Sequence, residues 1–474
     1  MWDSGKIAAL IGGELWGNPQ TSFQGFVIDS RKVSAGQAFV AFKGEKTDGH
    51  AYIQEAFKAG ASLVIAESRA LKERGLSSLD VPAGKALIGV NNSLRALQEL
   101  AAAWRTELNP LVVGITGSNG KTTTKDMVAA VLGAKYQVHK NVENQNNEIG
   151  LPLTILNAGL GTEVLVLEMG MRGLGQIKDL CNICRPSVGV ITNIGTTHLE
   201  LLGSLENIAQ AKWELIESLP QAGKAILNAE DYFSVVKGSS YTGEKIYYGI
   251  EGKYTTPTVQ GGNIRPCGSL GTAFEVLQGD FPVTVRLPLP GEHNVLDALA
   301  ALAVGKELGV SFIEGAKALE ELELSRMRLE VMEGIRNSVI FNDVYNANPI
   351  SMKASLQVLA ERGGDQTIAI LGDMYELGTA TLSGHRGVGR QVSELGIKEL
   401  ITVGELAREI ATGARESGFP KENIRVCNDC EEAAHVAREV LKEHEPGFWV
   451  LVKGSRGLRM ERISQWLMRD ENPV

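Results

Sequence analysis

The chain has 474 residues, a length that suggests roughly three domains at about 150 residues each. It is 43% apolar and 22% charged, the balance of a globular chain able to bury a large core. Its 47 lysines and arginines against 56 aspartates and glutamates leave a net charge of −9, which speaks against a general nucleic-acid or membrane-surface role.

The chain opens "MWDSGKIAALIGGELWG", with neither a basic leader nor a long apolar stretch. No later apolar run reaches the ~18 residues of a spanning helix, so a cytoplasmic protein without membrane insertion is expected. Next, "FVIDSRKVSAGQAFVAFKGEKTDGHAYIQEAFKAGASLVIA" predicts strand, turn, strand, polar loop, helix and strand. A helix at "SLRALQELAAAWRTEL" then leads to Asn109-Pro110, where the residue before proline disfavours further helix. A first domain is therefore set at 1–108.

The central unit, 109–322, begins with the buried-strand run "LVVGIT" and continues "GSNGKTTT" into the helix "KTTTKDMVAAVLGA". Strand, glycine-rich turn and helix in that order are the context of a phosphate-cradling loop, built here from Gly117, Ser118, Asn119, Gly120, Lys121, Thr122 and Thr123. The usual G-x-x-x-x-G-K-[ST] spacing would place glycine at 115, where Ile115 stands. The glycines let backbone approach phosphate oxygens, and the helix N-terminus offers free N–H groups. Lys121 can reach the β- and γ-phosphates, and a Thr122 or Thr123 hydroxyl can ligate Mg²⁺. A nucleoside triphosphate site is expected. The strand "EVLVLEM" ends near Glu168, a hard oxygen donor suited to Mg²⁺ at the same sheet edge. "TNIGTTHLE" brings His198 just beyond another strand end. In the helix "LENIAQAKWELIESL", Lys212 stands among Ile208, Leu215 and Ile216. On composition alone it reads as a solvated or snorkelling lysine.

After the strand "KAILN" the pattern between 244 and 289 changes to alternating strands, among them "TAFEVLQ" and "PVTVRLPL", with a turn at Gly279-Asp280. The helix "NVLDALAALAVGKELG" closes the unit. From 323 to 474 the alternation resumes with "SVIFNDVY", "MKASLQVLAERG", "TIAILGD", "GVGRQVSELG", "ELITVG", "AAHVAREVLKEH" and "FWVLVKG". This predicts three α/β domains, the middle one with a largely parallel sheet covered by helices on both faces. Of the five cysteines, Cys181 with Cys184 and Cys427 with Cys430 form two distant C-x-x-C pairs, unlike a compact zinc ribbon. They read as reduced, structural thiols.

The order "TGSNGKTTT", "NVENQNNEIGLPLTIL", "LEMG", "TNIGTTHLE", "AKWELI", "GEHNVLDALAA", "NDVYNANPISM", "LGDMYELG" and "LVKGSRGLRME" resembles the Mur ligase family, ATP-dependent amide-forming enzymes of peptidoglycan (cell wall) precursor synthesis. The family's loop is T-G-x-x-G-K-T, and Thr116 to Thr122 match it without glycine at 115. The resemblance implies a three-domain architecture with a central phosphate-loop parallel-sheet domain and a Rossmann-like C-terminal domain. In it the first domain holds the UDP end of the precursor, the middle domain ATP, and the third the incoming amine. "YNANP", "GDMYELG" and "KGSR" point within the family to UDP-N-acetylmuramoyl-tripeptide and D-alanyl-D-alanine as substrates of a monomeric enzyme.

Carried over residue by residue, the resemblance gives Lys121 and Thr122 the phosphates and a first Mg²⁺, which Glu168 shares. His198 would hold a second Mg²⁺. Lys212 matches a lysine carbamylated by CO₂, which turns a cation into an anion able to support metal. Asn294 corresponds to an adenine contact, and Arg328, Asp343 and Tyr345 to groups closing over ribose and phosphates. Asn346 and Asn348 would orient the dipeptide. Ser30 and Arg31, with Lys43, Asp48 and His50, resemble uridine-diphosphate contacts, and Asn144, Asn146 and Asn147 line the muramoyl-peptide channel. Lys453, Ser455 and Arg456 are candidates for carboxylate or phosphate contacts. The block Gly372 to Gly378 shapes the dipeptide pocket, and the junction near 320–326 is the expected hinge. Two relatives in the same class remain as alternatives: the ligase adding the third amino acid, and a folylpolyglutamate-type synthetase. A phosphate-loop regulator or ATPase is the alternative outside it.

Overall fold

The computed structural model describes residues 2–44, 47–142, 144–268, 270–278, 281–322, 325 and 327–468. It contains three sheets of five, nine and six strands. In the first, the spatial order is Glu14–Gly17, Ala86–Val90, Leu63–Glu67, Ala38–Val40 and Phe26–Val27. Ala86–Val90 is buried at every position, which is why it reads as an unbroken apolar run rather than an alternation.

In the central sheet, Leu111–Thr116 lies between Val164–Glu168 and Val188–Ile191, parallel to both. The chain first runs to one side, through Val138–Lys140 and Val164–Glu168. It then crosses to the other, through Val188–Ile191 and Lys224–Asn228. The C-terminal end of Leu111–Thr116 is therefore the point where the crossovers diverge, the place where open α/β sheets leave a crevice. Beyond Glu244–Gly249 and Val259–Cys267, the strand Gly271–Gln278 pairs antiparallel with both its neighbours, as the change of pattern predicts. The turn expected at Gly279-Asp280 lies outside the described residues.

The third sheet runs Glu330–Glu333, Val339–Asn342, Trp449–Lys453, Thr367–Gly372, Glu399–Val403 and Ile424–Cys427. Its pairings are parallel except for the antiparallel edge formed by Glu330–Glu333. "SVIFNDVY" reads as one strand, but the strand ends at Asn342, leaving Asp343 and Tyr345 free to face the central domain. Of the expected hinge, 323, 324 and 326 lie outside the described residues, and Ser325 donates its hydroxyl to Asp126 Oδ2 at 2.7 Å.

One apolar cluster joins Trp2, Ile65, Ile88 and Leu100 of the first domain to Leu151, Leu167 and Leu215 of the central one. The third domain is packed around clusters of its own. All five cysteines are free. Burial pushes the Cys181 and Cys427 thiols up to about 12, so both stay protonated and unreactive. Among the described residues no helix is long and apolar enough to cross a membrane.

Candidate active site

The loop after Leu111–Thr116 is fixed by its neighbours. Ser118 Oγ accepts from Gly195 N–H at 2.8 Å, Asn119 N–H donates to Asn193 Oδ1 at 3.0 Å, and Thr192 Oγ1 donates to the Asn119 carbonyl at 2.6 Å. A Cβ on Gly117 would stand 1.8 Å from Thr192 Oγ1, so only glycine fits there. Gly120 takes φ 78° and starts the helix Lys121–Gly133, whose first turn has no side-chain cap and keeps its N–H groups for an anion. Lys121 Nζ bends back over the loop onto the Gly117 and Ser118 carbonyls, at 2.8 and 3.2 Å. Burial lowers its amine from the ordinary lysine range, against the pull of Glu168.

Thr122, rather than the also buried Thr123, turns its hydroxyl to the sheet edge and donates to Glu168 Oε2 at 2.7 Å. Asn146 Nδ2 donates to the other carboxylate oxygen at 2.8 Å, and the Glu168 N–H donates to Asn141 Oδ1 at 2.6 Å. From the third domain, Arg328 Nη2 donates to Thr122 Oγ1 at 2.7 Å. Its guanidinium lies 4.2 Å from the centre of the Tyr345 ring.

Lys212 corrects the composition-based expectation. Its side chain is buried, not solvated, and Nζ donates to the Gly117 carbonyl at 2.8 Å. Burial first, and then the charge of Lys121, drive its amine well below the ordinary lysine range. The helix Leu205–Glu217 is held against the sheet by Ile208, Leu215 and Ile216, and this turns Lys212 inward with them. His198 occupies a left-handed position, φ 66°, and lines the same cleft.

The cleft holds about 2120 Å³ and is walled by all three domains, with Leu94 and Gln98 contributed by the helix Ser93–Leu108. On its third-domain side, Lys453 Nζ reaches Asp343 Oδ2 at 2.5 Å and the Asn346 carbonyl at 3.1 Å. Burial works to raise the Asp343 carboxyl, but Lys453 outweighs it and holds the group ionised. Asn348 caps the helix Pro349–Gly363 and spans the cleft, donating to Asn119 Oδ1 at 2.6 Å and Thr197 Oγ1 at 3.2 Å. Ser455 Oγ accepts from Tyr375 N–H at 3.0 Å, and Arg456 lines the rim while paired with Glu461 at 2.7 Å. Asn294, buried, donates to the Pro290 carbonyl at 2.7 Å. Asn144 and Asn147 also line the cleft, Asn147 with its side chain accepting from Gly150 N–H at 2.9 Å.

The first-domain candidates lie elsewhere. Ser30 and Arg31 sit on a short 3₁₀ turn, with Arg31 paired to Asp29 at 2.8 Å. Lys43 bridges to Asp48 through the backbone, and Asp48 is shared by Arg74 at 2.6 Å and His50 at 2.7 Å. None of these five residues lines the cleft.

Sequence reasoning missed Thr192 and Asn193, which brace the loop, and Asp297, which Thr124 Oγ1 reaches at 3.0 Å beside Gly120. Burial pushes the Asp297 carboxyl up to about 7. The spacing of Asp297 within an apolar helix gave no sign that it faces the loop.

Among the described residues no cluster of three or more His, Cys, Asp and Glu side chains stands ready for a metal. The donors at the loop are instead one hydroxyl and one carboxylate, 2.7 Å apart. That sparse, hard-oxygen set fits Mg²⁺, which keeps several waters and takes the rest of its ligands from phosphates.

A phosphate loop at the switch point of a parallel sheet, with a further α/β domain reaching onto it, defines a nucleotide-dependent enzyme working in an interdomain cleft. Family models match the chain in three successive stretches: Mur ligase family, catalytic domain, at 22–105; Mur ligase middle domain at 115–305; and Mur ligase, glutamate ligase domain, at 327–456. The sequence is 38% identical over 473 residues to the UDP-N-acetylmuramoyl-tripeptide–D-alanyl-D-alanine ligase of Bacillus subtilis (strain 168), covering 99% of this chain and 98% of that one. The fold is similar to the crystal structure of MurF from Acinetobacter baumannii, with TM-score 0.85, 29% identity and 98% of each chain covered. It is also similar to MurF from Thermotoga maritima in complex with ADP, with TM-score 0.77, 29% identity, and 94% of this chain and 97% of that one covered. The chain belongs to the Mur ligase family, and it is an ATP-dependent ligase of the peptide-forming kind.

Proposed function

We propose that the protein joins D-alanyl-D-alanine to UDP-N-acetylmuramoyl-tripeptide, with ATP converted to ADP and phosphate, to give the pentapeptide precursor of peptidoglycan. The observation that carries this reading is the hydrogen bond from Arg328 of the third domain to Thr122 of the phosphate loop, inside a cleft walled by all three domains. An amine held by the third domain is thereby brought to a carboxylate activated at the loop.

A carboxylate is a poor electrophile, so the γ-phosphoryl group passes first to the terminal carboxylate of the tripeptide. The uncapped N–H groups of Lys121–Gly133, together with Lys121 and Arg328, face the charge that gathers as one anion attacks another. Thr122 and Glu168 would hold one Mg²⁺ and His198 a second, supplying further charge neutralisation when bound. The dipeptide amine then attacks the acyl phosphate, and the tetrahedral adduct collapses to amide and phosphate. Acyl phosphates hydrolyse, and Asn348 and Arg328, which tie the third domain across the cleft, help to exclude water.

Lys212 fits the carbamate role chemically. Burial drives its amine well below the ordinary lysine range and so favours the neutral form, the form that adds CO₂, releasing a proton and leaving an anion. Asn294 would meet adenine, Asp343 and Tyr345 the ribose and phosphates, Asn346 and Asn348 the dipeptide, and Lys453, Ser455 and Arg456 carboxylate or phosphate groups. Asn144, Asn146 and Asn147 would line the channel of the muramoyl peptide. Ser30, Arg31, Lys43, Asp48 and His50 are assigned to the uridine diphosphate, away from the cleft. The reading includes a monomer in the cytoplasm.

The test is phosphate release with ATP, Mg²⁺ and UDP-N-acetylmuramoyl-tripeptide, with and without D-alanyl-D-alanine. Release that needs both organic substrates, with a pentapeptide product by mass, is the expected result. Release with a single amino acid or a folate acceptor in place of the dipeptide would overturn it.

A further inference from the structure

The alternating strands between 244 and 289 carry no motif, and they form the edge of the central sheet far from the strand that bears the phosphate loop. Yet the turn that joins Val259–Cys267 to Gly271–Gln278 reaches the third domain. Leu270 packs on the third-domain cluster that holds Phe341, Val358 and Leu359, and Arg362 Nη2 donates to the Gly271 carbonyl at 2.6 Å. A Cβ on Gly271 would stand 2.6 Å from both the Cys267 and the Leu287 carbonyl oxygens, so only glycine lets the turn close this tightly on its own strands.

Arg362 lies in the last turn of the helix Pro349–Gly363, and Asn348 caps the first. The two ends therefore meet the central domain at different places: Asn348 donates to Asn119 Oδ1 of the phosphate loop at 2.6 Å, and Arg362 holds the hairpin turn. Between them the helix lies along the central domain. A Cβ on Gly195 would stand 2.9 Å from Ile350 Cδ1, and one on Gly291 would stand 2.9 Å from Val358 Cγ2. At 1.5 Å per residue the ends are about 20 Å apart. The two contacts differ in kind. At the loop two neutral amides meet, a bond that water replaces readily, whereas at the turn a charged donor and an apolar contact act together. A rotation of about 10° about the turn moves the loop end by roughly 4 Å, past hydrogen-bond reach, while the contacts at the turn itself stay within it.

We propose that this turn is the pivot on which the third domain closes. Leu270 and the Gly271 carbonyl keep hold of the C-terminal end of Pro349–Gly363 in the open and the closed state, and only the Asn348 end leaves the loop. Arg362 is a positioning residue: through about four turns of helix it sets where Asn348 meets the phosphate loop. An ordinary interdomain contact opens together with the rest of the interface; a pivot does not. The pivot goes beyond the functional reading above and holds for any amine that the third domain brings.

The experiment is hydrogen exchange read by mass spectrometry on the full-length protein, without ligand and with Mg²⁺ and a non-hydrolysable ATP analogue. In wild type the amides of 350–353 should gain protection when the analogue binds, and those of 270–273 and 360–364 should exchange equally in both states. In Arg362→Ala the protection that the analogue gives to 350–353 should fall about tenfold, whereas simple fraying of the helix end would alter 360–364 alone. Leu270→Ala should act in the same way. Arg362→Lys keeps a donor for the Gly271 carbonyl and should recover part of the loss. Equal gains in protection at 270–273 and 350–353 in wild type would overturn the proposal. So would no gain at 350–353, or a wild-type gain there in both Arg362→Ala and Leu270→Ala. Circular dichroism shows which variants are folded, and the wild-type comparison decides the matter even if none is. Failure of the functional reading would look different: the pivot pattern would appear, but phosphate release would not depend on the dipeptide.

Discussion

Lys212 shows how burial changes what a residue can do. A lysine amine with a carbonyl at 2.8 Å, and driven below its ordinary range by burial, is biased toward its neutral, nucleophilic form rather than standing as a surface charge. Lys212→Ala is expected to lower ligation by at least about a hundredfold, the scale on which removing one group of a preorganised charge-stabilising site acts. Its circular dichroism should be unchanged, and a small added carboxylate should restore part of the rate. Wild-type turnover in that variant would refute the role. Asp297 carries a second expectation, read through pH. Its carboxyl keeps its proton up to about 7 in the fold, whereas the unfolded chain releases it in the ordinary carboxylate range. Between those limits the folded state binds more protons, so this group's contribution to stability falls as pH rises toward 7 and is flat beyond. Asp297→Asn cannot ionise, and from pH 5 to pH 8 it should gain on wild type by on the order of 2 kcal/mol. The measurement is the difference in urea midpoints at the two pH values. A pH-independent difference would show that Asp297 does not titrate there. At this scale the sequence was uneven. Lys121 and Thr122 were legible because the loop's chemistry lies within a few consecutive residues. Lys212 was misread on composition, since apolar spacing shows which face of a helix is buried but not which polar residue goes in with it. Glu376 and Asp297 were silent because their partners, His198 and Gly120, lie in distant segments.

At the scale of elements, the loop works because two glycines leave room for what surrounds it. A methyl at 117 would overlap Thr192 Oγ1, the hydroxyl that itself holds the Asn119 carbonyl at 2.6 Å. Gly117→Ala is therefore expected to displace the loop from the strand end, lowering stability by roughly 1–3 kcal/mol. It should lower ADP affinity at least tenfold, since backbone N–H groups no longer converge on the phosphates. Calorimetric titration with ADP against wild type checks this, and unchanged affinity would mean that the loop tolerates the shift. The strand-loop-helix order was readable in advance because each signal is local: an apolar run, a glycine turn, a helix start. The antiparallel edge strand Glu330–Glu333 was not foreseen. Its half-buried pattern is short, and its pairing with Val339–Asn342 is a tertiary choice that local spacing does not encode.

The whole molecule is held together unevenly, and that difference governs how it works. The first and central domains share one apolar cluster. Asn157 clamps Phe26 through both backbone groups at 2.8 and 3.1 Å, and Trp104 Nε1 donates to the Ala158 carbonyl at 3.0 Å. Between the central and third domains the ties are mainly polar, among them Arg328 to Thr122, Asn348 to Asn119 and Thr197, Ser325 to Asp126, Glu376 to His198 and Arg362 to the Gly271 carbonyl, with Leu270 packed on the third-domain core. Apolar cores do not come apart cheaply, whereas each such hydrogen bond contributes only about 1 kcal/mol net and can be exchanged for water. The third domain should therefore open and close as a unit while the other two stay together. Arg328 makes one of the charged ties, worth about 1.5 kcal/mol or more, so Arg328→Ala should shift the closed-to-open ratio about tenfold toward open. Small-angle X-ray scattering without nucleotide is expected to show a larger radius of gyration for the variant than for wild type. ADP and the tripeptide precursor should narrow the gap only in part, because the bond they would reinforce is gone. Identical scattering from both proteins without ligand would show that closure does not depend on this contact and that the hinge itself sets the angle.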